Sequence, residues 1–348
     1  MKRVGWVVII GMALVAVFAP LLTPHTPGER FADRLYAPPM RPHVIDADGR
    51  WRAPFIYPVQ LVDRLERRYE EDRAHPIQLR WFSGGVLVGV VTEDEVPWLP
   101  LGGDGSGRDV FARLVYGARL SLGVALIATL GALLIGTLVG GAAGVAGGLV
   151  DDGLMRLSDF VLVLPAMYVV LALRAAMPLV LATPAVFALV AGIMAIVGWP
   201  LVARGVRAIV AAERVRDYAQ AARSLGMGRS RLLVRHLLPA ARGYLATQAT
   251  LLLPGFILAE ATLSYVGLGF PEPAASWGSM LQEAATVAAI ADAPWTLAPA
   301  LAIFAVVLAV NLIVETPECT AMPGLGAGPD SRPGTACRAP ATARPRSR

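Results

Sequence analysis

The side chains that could do chemistry are few and scattered along this chain of 348 residues. Glu260 lies inside the apolar run from 244 to 268, where a carboxylate is costly and turns toward protein or water. It is therefore a candidate for a transport pathway, and a buried hydrogen bond between helices explains it equally well. The glycine-rich stretch from 101 to 107 invites a phosphate-binding reading. Lys2 is the only lysine of the chain, however, and a Walker A loop needs a lysine after its glycines, so the chain does not hydrolyse nucleotide by that route. Asp46-Ala47-Asp48-Gly49 lacks the third oxygen ligand and closing Glu of a calcium loop and reads as a turn. His25, His43, His75 and His236 share no metal-ligand spacing, and Cys319 and Cys337 both fall near the C-terminal end, which argues against a disulfide framework. The net charge of +5 is carried by arginines that are not interleaved with aromatics, so no nucleic-acid surface is indicated. No cofactor, metal or catalytic constellation is expected.

The elements around these residues belong to a membrane. The chain is 55% hydrophobic and 16% charged, with several long apolar runs, which is a polytopic composition. A first span covers 1–22; it is long for a signal h-region and has no clear small-x-small cleavage site. Further spans are expected at about 120–148, 160–177, 179–202, 244–268 and 294–314, with Asp151, Asp152 and Arg156 in a turn. Pro165, Pro184 and Pro200 are tolerated within them, and Arg174 snorkels to an interface. Gly136, Gly140, Gly144 and Gly148 recur every four residues and should bring one helix face close to a neighbour.

Between the fourth and fifth runs stand nine arginines (204, 207, 214, 216, 223, 229, 231, 235 and 242), whereas 269–294 contains no Lys or Arg. That asymmetry puts the first loop in the cytoplasm, the second outside, and both termini inside a cell inner membrane.

Residues 23–100 form a polar extracytoplasmic insertion of α+β character. Strands flank the turn at Asp46, Leu61, Leu65 and Tyr69 mark a solvated helix, and Ile77 to Val91 makes a hairpin around Ser83-Gly84-Gly85. The insertion is either a cap or a docking surface for a binding protein.

The segment from 213 to 239 is built differently from the spans. Tyr218 to Leu225 favours helix, Gly226 and Gly228 stop it, and an amphipathic piece with Leu232, Leu233, Leu237 and Leu238 on one side runs to Pro239.

Gln220-Ala221-Ala222, then Gly226, then His236-Leu237-Leu238-Pro239 resembles the EAA loop of permease subunits of ATP-binding-cassette (ABC) importers, with Gln220 where Glu is usual. Two further stretches resemble the dipeptide/oligopeptide/nickel branch of that family. One is Leu101-Gly102, Asp104, Gly107-Arg108-Asp109-Val110, Arg113 and Gly117-Ala118-Arg119-Leu120-Ser121-Leu122; the other is Glu260-Ala261-Thr262-Leu263-Ser264-Tyr265-Val266-Gly267-Leu268-Gly269 continued by Ser276-Trp277-Gly278.

The resemblance covers about residues 95–312 and implies an all-α membrane protein of the type I ABC importer permease fold, with a permease core at 101–314. It also implies transport of peptides or related solutes without covalent chemistry, a second permease subunit, two ABC ATPase subunits and an extracytoplasmic substrate-binding protein. Tyr218, Gln220, Ala221, Ala222, Gly226, His236 and Pro239 would then contact or orient the ATPase. The cargo stays open between a peptide, an opine-like solute and nickel. A secondary transporter or channel would need more intramembrane charges than Glu260, and a membrane enzyme would need a cytoplasmic domain. Residues 315–348 are rich in Pro, Gly, Ala, Arg and Thr and depart from the family, which suits a disordered tail from a shifted reading frame and leaves a non-functional permease as an alternative.

Overall fold

A computed structural model of the chain describes residues 2–46, 50–63, 67–82, 85–90, 96–176, 178 and 181–314. The atypical tail at 315–348, the center of the turn at 47–49 and the hairpin residues Ser83 and Gly84 lie outside them.

The long helices are α3 (Val110–Ala146), α6 (Thr183–Glu213), α9 (Arg242–Tyr265) and α12 (Ala298–Val314), preceded by α1 (Lys2–Val17) and α2 (Ala19–Leu22). Between α3 and α6 stand α4 (Gly148–Val163) and α5 (Ala166–Ala175); between α6 and α9, α7 (Asp217–Ser224) and α8 (Arg229–Leu232); between α9 and α12, α10 (Trp277–Ala284) and α11 (Val287–Asp292). Among the described residues four helical stretches can cross a membrane by length and apolar composition, or five when α4 and α5, bent by 82°, count as one. That is short of the six expected from the sequence. The difference of one is α1, whose 16 residues reach about 24 Å, less than the ~30 Å of a hydrocarbon core.

Contacts fix the helix directions. Along α3 and α6, Gly123 lies against Phe187, Gly131 against Ala195, Gly136 against Val202 and Gly144 against Val210, so the two run parallel. The chain from 147 to 182 must therefore return along their length, and α4 with α5 makes that return. Helix α9 is antiparallel to α6: Tyr244 donates to the Leu201 carbonyl at 2.8 Å near one end, and Leu263 clusters with Val186 and Val190 near the other. Helices α1 and α12 are also antiparallel. Gly5 meets Ala309 and Ile313, while Trp295, just before α12, donates to the Gly103 carbonyl at 3.0 Å beside the start of α3.

Several local expectations are corrected. Helix α3 begins ten residues before the expected start because Asp109 caps it, its side chain accepting from the Phe111 N–H at 2.8 Å. It ends at Gly147 (φ +67), and Gly148 (φ +59) opens α4, so Gly148 leaves the glycine face. Asp151, Asp152 and Arg156 lie within helix α4 rather than in a turn. Pro165 sits at the break between α4 and α5, where its ring and missing N–H end the hydrogen-bond ladder. Pro239 does not end the amphipathic piece. A π-turn at Leu233–Leu237 and a 3-10 turn at Leu238–Ala241 absorb the missing N–H, and the helical path continues into α9.

The insertion is built of strands β1 (His43–Ile45), β2 (Trp51–Ile56), β3 (Val59–Asp63), β4 (Arg68–Glu71), β5 (Ile77–Trp81) and β6 (Val88–Val90). The sheet order is β1-β2-β5-β6, and β3 pairs with β4 apart from it. The helix expected around Leu61 and Tyr69 is thus a hairpin, and the α+β expectation becomes β among the described residues; Leu65 lies outside them. A charged segment with so narrow an apolar stripe gains little as a helix. As a hairpin it buries Val59 with Ile56, Ile77 and Leu79 and packs Tyr69 beside them.

Candidate functional site

At the end of the helices where α3 and α6 finish, the arginine-rich segment is shaped by ordinary helix-ending rules. Helix α7 closes in a Schellman motif: Met227 N–H bonds the Ala222 carbonyl at 3.1 Å, and Gly226 N–H bonds that of Arg223 at 2.9 Å. Gly226 takes φ +85 and has open space where a Cβ would stand, so its need for glycine is conformational. Ala219 and Ala222 are buried against α6, α8 and the π-turn in a cluster with Val206, Val210, Leu232 and Leu237. The opposite face is free: Gln220, Ala221 and Arg223 are exposed, and Leu225 at the tip is 89% exposed.

The other sequence-predicted residues of this loop support that shape. Tyr218 donates to Glu213 at 2.6 Å, a bond that raises its phenol above the ordinary value, and its ring stands 6.4 Å from that of His236. Gln220 donates to the Val215 carbonyl at 2.8 Å, closing the turn into α7. Pro239 is half-buried at the base. Among the described residues Arg223, Arg229, Arg231, Arg235 and Arg242 make no ion pair, whereas Arg207 grips Asp151 of α4, with Nε 2.9 Å from Oδ1.

Gly136, Gly140 and Gly144 do come together, on the face of α3 against α6. A Cβ on Gly136 would stand 2.8 Å from the Trp199 carbonyl oxygen, one on Gly144 would stand 3.1 Å from that of Arg207, and one on Gly140 would strike the Ala203 backbone. Close backbone approach is what the small residues permit.

Glu260 is not part of this loop; α9 separates it from Arg242 by about 27 Å at 1.5 Å per residue. It is 1% exposed. Oε1 accepts from Ser264 at 2.7 Å, Oε2 has no hydrogen-bond partner among the described residues, and Ser121 and Ser276 are its other polar neighbors. Ser121 accepts from the Trp277 N–H at 3.1 Å, and Ser276 caps α10. The carboxyl group thus lies where α3, α9 and α10 meet.

Two arrangements escaped sequence reasoning. Arg174 does not snorkel: it is 2% exposed, and its guanidinium donates to the carbonyls of Pro178 and Gly269, each at 3.4 Å. The second is an ion cluster at the start of α3. Arg108 binds Asp104 at 2.8 Å, Glu272 at 3.0 Å and Glu283 at 2.7 Å, and Arg113 joins Glu283 at 2.8 Å and also Asp104. Arg30 adds a pair with Glu272. One signal was available: 269–294 carries Glu272 and Glu283 but no Lys or Arg, so any cation they pair with comes from elsewhere in the chain.

Comparison with known proteins bears on the whole helical part. A family described as binding-protein-dependent transport system inner membrane component matches residues 115–316, and one described as the N-terminal TM domain of oligopeptide transport permease C matches 3–39. A putative peptide permease protein of Brucella ovis is 38% identical over 213 residues, 61% of this chain and 68% of its own. The dipeptide transport system permease protein DppC of Alkalihalophilus pseudofirmus is 39% identical over 61% of this chain and 67% of its own. The oligopeptide transport system permease protein OppC of Bacillus subtilis is 37% identical over 56% of this chain and 62% of its own. The chain belongs to the binding-protein-dependent inner membrane component family: it is a multi-pass permease subunit of an ABC importer, not an enzyme.

Proposed function

We propose that this subunit carries peptides across the cytoplasmic membrane as one of two permeases, with six crossings and with α7 as its contact to a separate ATPase. The observation that carries the coupling role is α7 itself, a helix held by two buried alanines and a glycine elbow whose outer face ends in the exposed Leu225. ATP-driven closure of two such ATPases would move α7 and, through α6 and α9, the helices that line the path. Support for peptide cargo comes from the names of the relatives, which are peptide, dipeptide and oligopeptide permeases.

The six-crossing reading draws on the helix directions. Alternation of α1, α3, α4 with α5, α6, α9 and α12 brings the start of α1 and the end of α12 to the end that carries the arginines, which by the charge rule is cytoplasmic. On that reading 23–100 and the ion cluster are extracytoplasmic. Glu260 serves as a brace between α3, α9 and α10; a role on the path is the second reading, favored only by its unpaired Oε2.

Co-expression with a partner permease, an ATPase and a binding protein tests the proposal. Copurification of the ATPase, its loss on Leu225→Asp, and ATP-dependent uptake of a labeled peptide into vesicles are expected. Retention of the ATPase by Leu225→Asp would remove α7 from the contact. Uptake of nickel but not peptide would overturn the cargo.

A further inference from the structure

The hairpin of β5 and β6 ends in a feature that neither the transport path nor the coupling loop uses. Trp81 is 64% and Phe82 74% exposed, beside an exposed Arg80 that makes no ion pair among the described residues. Phe82 holds φ +55, a region that bulky residues seldom occupy. Two backbone hydrogen bonds locate this tip. Phe82 N–H donates to the Leu87 carbonyl at 3.0 Å, and Leu87 N–H donates to the Leu21 carbonyl at 2.7 Å. Each such step spans about 5 Å, so the Phe82 backbone lies within roughly 10 Å of Leu21.

Leu21 is near the end of the apolar run begun by α1. The exposed face of that run, Val7, Ile10, Leu14, Val17, Phe18 and Leu21, leads along the helix to the hairpin tip. If α1 crosses the membrane, the tip stands at the level where hydrocarbon gives way to headgroups. Aromatic side chains and arginine are the composition of that level: rings settle among the headgroups, and a guanidinium reaches phosphate.

We propose that the β5–β6 tip is an anchor in the membrane interface, with Trp81 and Phe82 among the phospholipid headgroups and Arg80 facing their phosphates. The continuity with the apolar face of α1 favors lipid over a protein partner. The anchor holds the β domain against the bilayer instead of leaving it as a free lobe. It rests on the reading that α1 crosses, and the test separates the two.

In a chain with Cys319→Ser and Cys337→Ser, nitroxide labels on Leu14→Cys or Phe82→Cys are measured in vesicles of phosphatidylethanolamine and phosphatidylglycerol, with the partner permease present. Relaxation by oxygen reports lipid, and relaxation by a nickel chelate reports water. The Leu14 label should be deep, and the Phe82 label should sit at headgroup level, less nickel-accessible than a free aqueous label by several-fold. A deep Leu14 label with a Phe82 label fully open to nickel overturns the anchor and leaves the crossing intact. A Phe82 label shielded from both relaxers means that protein covers the tip, and also overturns it. A nickel-accessible Leu14 label removes the α1 crossing and the anchor with it.

Discussion

Arg214 closes the end of α3: its Nη1 donates to the Gly144 carbonyl at 3.0 Å and sits 3.4 Å from that of Val145. The last carbonyls of a helix have no partner of their own, and a cation there also meets the negative end of the helix dipole. Because Arg214 is the first residue after α6, the same contact sets where the chain turns toward α7. Arg214→Ala should lower the stability of the purified subunit by about 1 kcal/mol, read as a drop of a few degrees in its melting temperature. Arg214→Lys should recover part of it. An unchanged melting temperature in Arg214→Ala would show that the contact is idle.

At Gly140 even one methyl group is too much, since a Cβ would strike the Ala203 backbone. Gly140→Ala should cost about 1 to 3 kcal/mol as overpacking, and Gly140→Leu should prevent assembly. Gly153→Ala is the control, because nothing lies within 4 Å of its would-be Cβ; helix propensity alone should make it neutral or favorable. Equal yields and melting temperatures for the three would mean that α3 and α6 do not pack as described.

Glu260 separates brace from pathway. Glu260→Gln keeps an acceptor for Ser264 and supplies a donor, so peptide uptake and stability should both persist. Glu260→Ala leaves an unfilled space among buried helices and should cost about 2 to 4 kcal/mol. Normal stability of Glu260→Gln with abolished uptake would instead put the carboxylate on the path.

The sequence was most informative where one rule acts alone. Glycines at a spacing of four marked the α3 face because close approach needs nothing but small size, and the rule failed at Gly148, where two successive positive φ values break the helix. Leu61 and Tyr69 misled because their spacing of eight fits a helical face and also two strands of a hairpin; the partner that decides, the sheet core at Ile56 and Ile77, is remote in sequence. Arg174 misled for a similar reason. Snorkeling is the rule for an arginine near a span end, but here the chain at Gly269 folds over it. In the loop at 213–239 the elbow at Gly226 was legible because a glycine that stops a helix is a local signal, whereas Pro239 misled, since the π and 3-10 turns around it let the helical path continue. What lay beyond local signals was the ion cluster, whose partners are as much as 242 residues apart.

Acidity should matter at Asp109. Burial holds its carboxyl up at about 7 from an ordinary 3.8, with Glu29 and Asp104 adding repulsion, while the N–H groups of Phe111 and Ala112 oppose the rise. A folded-state value above the unfolded one means that the native protein holds a proton the unfolded chain gives up. The stability due to this group is therefore complete below 3.8 and is lost as pH rises toward about 7, with no further loss above. Asp109→Asn keeps an acceptor for the Phe111 N–H and removes the titration. Between about pH 4 and about pH 8 its melting temperature should fall less than that of the parent chain. Identical slopes would show that Asp109 is ionized throughout.

The elbow after α7 sets the angle at which the chain leaves that helix. Gly226 takes φ +85 with open space around its would-be Cβ, so any penalty for a side chain there comes from the backbone and not from a clash. A β-branched residue in that region is strained by about 1 to 3 kcal/mol, whereas Asn adopts it readily. The strain is relieved by unwinding the Schellman closure, that is, the Met227–Ala222 and Gly226–Arg223 bonds, which lie at the end of α7 and far from the spans. Gly226→Val should therefore insert and pair with its partner permease, yet lose the ATPase or its stimulation by loaded binding protein. Gly226→Asn should retain both, and Arg229→Ala, which removes one exposed charge, should change little. The assay is ATPase retention and substrate-stimulated hydrolysis in reconstituted complexes. Normal stimulation in Gly226→Val would show that the angle set by this elbow is not what couples the permease to its ATPase, and a failure shared by Gly226→Asn would point to contact with the glycine itself rather than to its backbone angle.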